Sequence, residues 1–294
     1  MRILTYTVTP EEDGRMVKGI LRGSLQLSYT LLKSLKWCEN AILLNGQSVH
    51  VNTIVHAGDV VSVALSERTP REDLYCANAA KPDIVYEDDD LLVLNKPAGV
   101  AMHPKSGDAS APSLAAILTS YLGEGSVPHF VSRLDKGTSG LLIAAKSGYV
   151  HDRLRRALHS SDLRREYRAV AVGRVEPPCG IIDAPIGRAE GSIIRRCVRA
   201  DGLPSLTEYE TLQVSGRFTL LRLRPQTGRT HQLRVHMAYL CHPLAGDWLY
   251  GTEDKTLIAR PALHSYELWF TQPVTGQELH FTAPIPQDMQ RLME

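Results

Sequence analysis

With 294 residues, 43% of them hydrophobic, the chain can bury a large core, in one large domain or two smaller ones. Its 33 Lys and Arg stand against 32 Asp and Glu, so net charge does not by itself announce a polyanionic partner. Five scattered cysteines without a C-x-x-C pair fit reduced thiols in a cytoplasmic protein and give no support for zinc; no apolar run suits a secretory signal or a membrane span.

Residues 1–66 read as a small separate unit. Leu21, Leu25, Leu31, Leu32 and Leu35 suggest two short amphipathic helices, the second capped by Ser28. Ile42 to Leu44 reads as a strand ending in the turn signal Asn45-Gly46, and Val60 to Leu65 alternates like another. Residues 67–83, with Pro70, Pro82 and several charges but no apolar period, read as a linker. Residues 84–294 form the main unit. There Val150, Leu154, Ala157 and Leu158 predict a helix capped by Ser147, and Thr230, Leu233, Met237 and Leu240 predict a second. Most other apolar stretches alternate, as Thr219 to Arg224 does, which favours an α+β fold with a mixed, largely antiparallel sheet. From Lys146 to Arg199 there are 12 basic and 6 acidic residues, a local excess of 6 that a phosphate backbone would suit.

The run Arg133-Leu134-Asp135-Lys136-Gly137-Thr138-Ser139-Gly140 lies between Phe130-Val131 and Leu141 to Ala145, a strand–loop–strand pattern that presents Asp135 from a sheet. A nearby cation favours the ionised form of a carboxylate, and such a group can act as nucleophile, general base or electrostatic stabiliser. A surface turn with an ion pair would carry the same residues.

The run resembles the Arg-Leu-Asp-x-x-Thr-Ser-Gly signature of the RluA/RluC/RluD family of RNA pseudouridine synthases. Asp90 to Gly99 with His103-Pro104 is similar to the family's opening strand and Lys-Pro-x-Gly turn. Arg165-Glu166-Tyr167-Arg168-Ala169 resembles its Lys-x-Tyr-x-Ala segment, and Thr227 to His236, His242-Pro243, Gly246-Asp247, Tyr250, Leu263-His264 and Phe281 to Pro286 follow in family order. The chain departs from many members in having Ser132 where His is common and Arg165 where Lys is common.

The resemblance implies a central twisted sheet flanked by helices, with a small N-terminal α/β RNA-binding module ahead of it. It implies that Asp135 is the nucleophile, Tyr167 the pocket tyrosine and Arg234 the arginine paired with the aspartate. Arg133 would enter the base stack in place of an everted uridine, Arg165 would contact RNA, and Leu223 and Leu233 would make the pocket apolar. Arg229 and Thr230, at the expected start of a helix, would offer N–H groups to a phosphate, and Lys33 and Lys36 on the N-terminal unit are further phosphate contacts. The reaction breaks N1–C1′ and joins C5 to C1′ without redox change, so no cofactor is expected, and no nucleotide-binding glycine motif is present. His231 and His236 lack the spacing of a helical metal pair, so no metal is expected. The expected partner is ribosomal RNA, with transfer RNA as the alternative, bound by a monomer. A silent RNA-binding factor and a hydrolytic nucleosidase are competing readings; the first needs no carboxylate, and the second releases free base.

Overall fold

The computed structural model describes residues 2–65, 81–104, 113–123, 127–160 and 162–294. The expected linker over residues 67–83 lies outside the described residues except for residues 81–83. The N-terminal part carries β1 (Arg2–Thr7), α1 (Val17–Arg22), α2 (Tyr29–Leu35), β2 (Ile42–Leu44), β3 (Gln47–Ser48) and β4 (Val60–Leu65), with the antiparallel strand order β1-β4-β2-β3. The Ser28 hydroxyl accepts the Leu31 N–H at 3.2 Å, the expected cap of α2. Asn45 and Gly46 have φ of 51° and 80°, the left-handed pair that a two-residue hairpin turn requires, and they join β2 to β3. Leu25 lies beyond the end of α1 and is buried there.

The main part continues with β5 (Ile84–Glu87), β6 (Leu91–Lys96), α3 (Leu114–Leu122), β7 (His129–Phe130), β8 (Ser139–Ala145), α4 (Gly148–Ser160) and β9 (Arg164–Val172). Then come β10 (Cys179–Asp183), β11 (Ile186–Arg188), β12 (Arg196–Val198), β13 (Leu206–Ser215), β14 (Phe218–Pro225), α5 (Gln232–Tyr239), β15 (Leu263–Thr271), β16 (Glu278–Thr282) and α6 (Gln287–Gln290). One mixed sheet has the order β10-β13-β14-β9-β15-β8-β6-β5, with β16 beside β15 and β7 beside β8. Among the described strands the β8–β15 pair alone is parallel; the rest are antiparallel, as expected from the sequence.

Alternation along β6 and β8 sorts the core into two layers. Leu91, Val93, Leu141, Ile143 and Ala145 face a cluster with Val150 and Leu154 of α4, which also takes in Val61 and Val63 of the N-terminal sheet. Leu92, Leu94, Leu142 and Ala144 face the other cluster, with Leu118 of α3 and Leu233 and Met237 of α5. Both faces are covered, so β8 is buried at every residue. The helix α4 matches its expected period, and the Ser147 hydroxyl accepts the Val150 N–H at 3.3 Å. The helix α3 was not foreseen. It is apolar almost all round, with Leu114, Ala115, Ile117, Leu118 and Thr119 buried, so it lacks the polar stripe that marks a surface helix.

The parallel junction fixes the start of β8. Gly140 has φ of 105° and lies against the Ser265 backbone, whose nitrogen would be 2.7 Å from an added Cβ. His264 is buried beside it. Its Nδ1 accepts the Ser139 hydroxyl at 2.8 Å and its Nε2 faces the Ala283 carbonyl at 3.3 Å. Burial pushes the His264 pKa down from 6.5 to about 4.

Two outcomes follow for stability. Gly140→Ala should cost about 3 kcal/mol or more, through backbone overlap and strain, read as a lower urea midpoint; an unchanged midpoint would contradict the packing. Because His264 is neutral when folded and its pKa is depressed, its contribution is complete above pH 6.5 and declines as pH falls towards 4. The loss from this residue should total about 3 kcal/mol. His264→Gln should therefore flatten the acid limb of a urea-midpoint series, and an equally steep limb in the variant would refute the assignment.

Candidate active site

Asp135 lies in the connection from β7 to β8, and this loop is held mainly by its own carbonyls. Thr138 N–H donates to Asp135 O at 3.0 Å, Gly99 N–H to Lys136 O at 2.8 Å, and Arg260 Nη1 to Gly137 O at 3.3 Å. The Lys96 ammonium, almost wholly buried, donates to Pro97 O and Val100 O at 2.9 Å and to Lys136 O at 3.3 Å. Burial depresses the Lys96 pKa to about 8, with Asp135 acting in the opposite direction. The opening strand, through Lys96, and the segment before β15, through Arg260, therefore fix the loop from two sides.

The Asp135 side chain is 27% exposed, and its Oδ2 accepts Arg234 Nη1 at 3.1 Å. Arg234 projects from α5 and is itself anchored. Its Nε and Nη2 donate to the two oxygens of Asp247 at 2.7 and 2.8 Å, a bidentate fork. Asp247 is fully buried, and its Oδ1 also accepts the N–H groups of Leu249 and Tyr250 at 3.0 and 3.2 Å. Burial opposes the Arg234 charge, but Asp247 and then Asp135 raise its pKa above the ordinary arginine value.

His231 stands on the other side of the carboxylate, with Nε2 at 3.9 Å from Asp135 Oδ2. Its Nδ1 is 2.8 Å from the Tyr250 hydroxyl, which already accepts the Arg196 N–H at 3.0 Å. The ring thus stands between the Tyr250 hydroxyl and the Asp135 carboxylate. Burial holds the His231 pKa below the usual histidine value, against the pull of Asp135. His236, five residues on, is buried between the Thr207 hydroxyl at 2.9 Å and the Ala184 carbonyl at 3.0 Å, so the two histidines serve different places. Among the described residues no group of His, Cys, Asp and Glu is arranged to hold a metal ion.

Asp135, His231 and Arg234 border a cleft of about 720 Å³, within the range of roughly 300–1,000 Å³ usual for ligand pockets. Tyr167, Leu233 and Leu263 supply apolar wall, and Arg133, Arg165 and Arg229 supply cations. Tyr167 reaches it from β9, and among the described residues its hydroxyl has no hydrogen-bond partner.

The cleft thus gathers Asp135, Tyr167, Arg234, Arg133, Arg165, Arg229, Thr230 and Leu233. Leu223 does not line it; this residue is fully buried in the apolar layer beneath, beside Tyr167 in register on β14. Leu263 occupies the wall position expected of Leu223. Lys33 and Lys36 are exposed on α2 and its C-terminal cap, and neither lines the cleft. Helix α5 begins at Gln232, not at Arg229 or Thr230, because His231 takes the cap position with φ of 59°. The Arg229 N–H is already engaged by Gln232 Oε1 at 3.0 Å, so it is not the free phosphate donor expected.

Asp247, Tyr250, His231 and Lys96 were not singled out as site residues. All four stand in runs that resemble the family, but nothing local says which acid meets Arg234. If Asp247 anchors Arg234, Asp247→Asn should cost about 3–5 kcal/mol by leaving a buried guanidinium under-paired, while Asp135→Asn should cost less than about 1 kcal/mol. Urea denaturation of both variants decides the point; similar losses would refute the order of dependence.

A family model described as RNA pseudouridylate synthase matches residues 90–239. Over 274 residues the chain is 39% identical to the uncharacterized RNA pseudouridine synthase YjbO of Bacillus subtilis, covering 92% of this chain and 96% of that one. Over 304 residues it is 40% identical to ribosomal large subunit pseudouridine synthase D of Vibrio cholerae, covering 97% and 92%. Among solved structures it resembles human RNA pseudouridylate synthase domain containing 1, with a TM-score of 0.58 and 28% identity, covering 69% of this chain and 83% of that one. With the motif order, the mixed sheet and these similarities in agreement, the chain belongs to the RluA family of RNA pseudouridine synthases and is an isomerase of that type.

Proposed function

We propose that the enzyme isomerises uridine in large-subunit ribosomal RNA, with Asp135 as the group that acts at the sugar–base junction of an everted nucleotide. The observation that carries this reading is the Asp135 carboxylate held 3.1 Å from a buried arginine at the wall of a cleft large enough for a nucleotide. The ribosomal substrate is supported by the 40% identity to ribosomal large subunit pseudouridine synthase D of Vibrio cholerae.

A uridine stacked in RNA hides its C1′ and C5, so the nucleotide must leave the stack, at a cost of a few kcal/mol. Cations at the rim offset that cost by meeting phosphates, and Tyr167 with Leu233 and Leu263 receives the base. Asp135 then drives cleavage of the N1–C1′ bond. The freed uracil keeps its electron pair, turns within the cleft and joins C5 to C1′. The proton on C5 departs and N1 gains one, so atoms and electrons balance without a redox partner. The free Tyr167 hydroxyl is suited to take the C5 proton. Arg234 and His231 approach the Asp135 carboxylate from two sides and set its direction. Exposed Arg133 fills the gap left in the stack, as a planar guanidinium can. Residues 2–65 serve as a small RNA-binding module, with exposed Lys33 and Lys36 as phosphate contacts.

RNA labelled with tritium at uridine C5 tests the reading. The wild type should release tritium from large-subunit rRNA, and Asp135→Asn should release at least about 10⁴-fold more slowly while binding RNA as well as wild type. A variant that still turns over would remove Asp135 from the chemistry. Release of free uracil would mark hydrolysis instead of isomerisation, and tritium release from transfer RNA alone would move the substrate.

A further inference from the structure

A second groove of about 430 Å³ adjoins the cleft, and the two share Leu158, Arg165 and Pro225 as walls. Alternation along β9 places Arg165 on the same face as Tyr167 and Arg164 on the opposite face, yet both border this groove. The groove therefore turns round the start of β9, from the cleft face of the sheet to its other face. Arg164 and Trp269 are directly opposed in the β9–β15 register, so their side chains stand together on that far face.

The lining has the chemistry of a nucleic-acid strand site. Arg164 is exposed and, among the described residues, makes no ion pair. Among the described residues Arg165 makes one side-chain hydrogen bond, a long one of 3.4 Å to Thr227 O. Arg224 pairs through Nε with buried Glu166 at 2.8 Å, but 47% of its side chain remains exposed. Among the described residues Glu208 is the one carboxylate lining the groove, and its Oε1 accepts Gln226 Nε2 at 3.0 Å. Trp269 lies parallel to His280, ring centroids 4.8 Å apart, which fixes the indole as a flat, rigid wall.

We propose that this groove binds the RNA strand next to the modified uridine, with Arg164 and Arg165 on its phosphates and Trp269 against a flanking base. The inference rests on the reading of the cleft as the uridine site. Three observations support it: continuity of the two cavities through Arg165, an exposed Arg164 that makes no ion pair among the described residues, and an aromatic plane beside it. A strand leaving the cleft would pass Arg165 first and then lie between Arg164 and Trp269. Stacking on a tryptophan tolerates any base, so the groove adds affinity and direction without reading sequence.

The test is filter binding of a large-subunit rRNA transcript at several salt concentrations, with tritium release measured in parallel. The proteins are wild type, Arg164→Glu, Trp269→Ala and, as control, Arg174→Glu, whose site is exposed and borders neither cavity. Arg164→Glu should weaken binding about 10-fold or more and reduce the salt slope by about 1–2, and Trp269→Ala should weaken it about 10-fold with little change of slope. Tritium release at sub-saturating RNA should fall in both variants in step with the loss of affinity. Affinity within 2-fold of wild type for folded Arg164→Glu and Trp269→Ala overturns the proposal, as does an equal loss in the Arg174→Glu control. If tritium is released normally while those affinities do not change, the groove falls and the catalytic reading stands. If the variants weaken binding but wild type releases no tritium, the catalytic reading falls and the groove stands.

Discussion

The structure depends on one almost fully buried ion pair, Asp247 with Arg234. Asp247 is fully buried and holds Arg234 through a two-point fork, and it is itself held by two backbone N–H groups. A buried guanidinium without such a partner would be strongly destabilising, so Asp247 is required if Arg234 is to stay in place. One nitrogen of Arg234 is left over, and it points at Asp135. The half-buried carboxylate at the cleft is thus aimed by a cation whose own position is set elsewhere. Separating anchoring from aiming lets Asp135 be replaced without unfolding the site, and lets a ligand displace water around it without losing the charge behind it.

The sheet carries the same division. The parallel β8–β15 junction requires a glycine at Gly140 and a neutral histidine at His264, and together they settle where the Asp135 loop ends. Lys96 and Arg260 then grip the loop by its carbonyls. Gly140, His264, Lys96 and Arg260 do not line the cleft, yet each limits where the Asp135 loop can lie. In the proposed chemistry that restraint matters more than the charge itself, since a misplacement of about 1 Å can cost about 100-fold in rate.

Much of this was legible in the sequence, for physical reasons that differ by element. The helix α4 announced itself because one face is buried and the other is wet, and the β2–β3 turn because Asn45-Gly46 adopts positive φ cheaply. The helix α3 stayed silent because it is buried nearly all round. The start of α5 was misplaced because Thr230 is a common capping residue, whereas the chain uses His231 in a left-handed conformation, freeing its ring to meet Tyr250. Leu223 is expected to make the pocket apolar, but it is fully buried in the apolar layer beneath, and Leu263 lines the cleft. Arg234 meeting Asp135 across 99 residues followed from the family resemblance, not from local pattern. Asp247 stands in a run that resembles the family, but nothing in its local pattern distinguishes a buried anchor from a turn aspartate.

The central claim is that geometry imposed by Arg234, and not its charge alone, makes Asp135 effective. Arg234→Lys keeps a cation but loses the fork that joins the two carboxylates. The most direct measurement is the single-turnover rate of pseudouridine formation in large-subunit rRNA, with enzyme in excess and the variant verified as folded. The account predicts a fall of about 100-fold with RNA affinity unchanged. A variant that forms product as fast as wild type would contradict it.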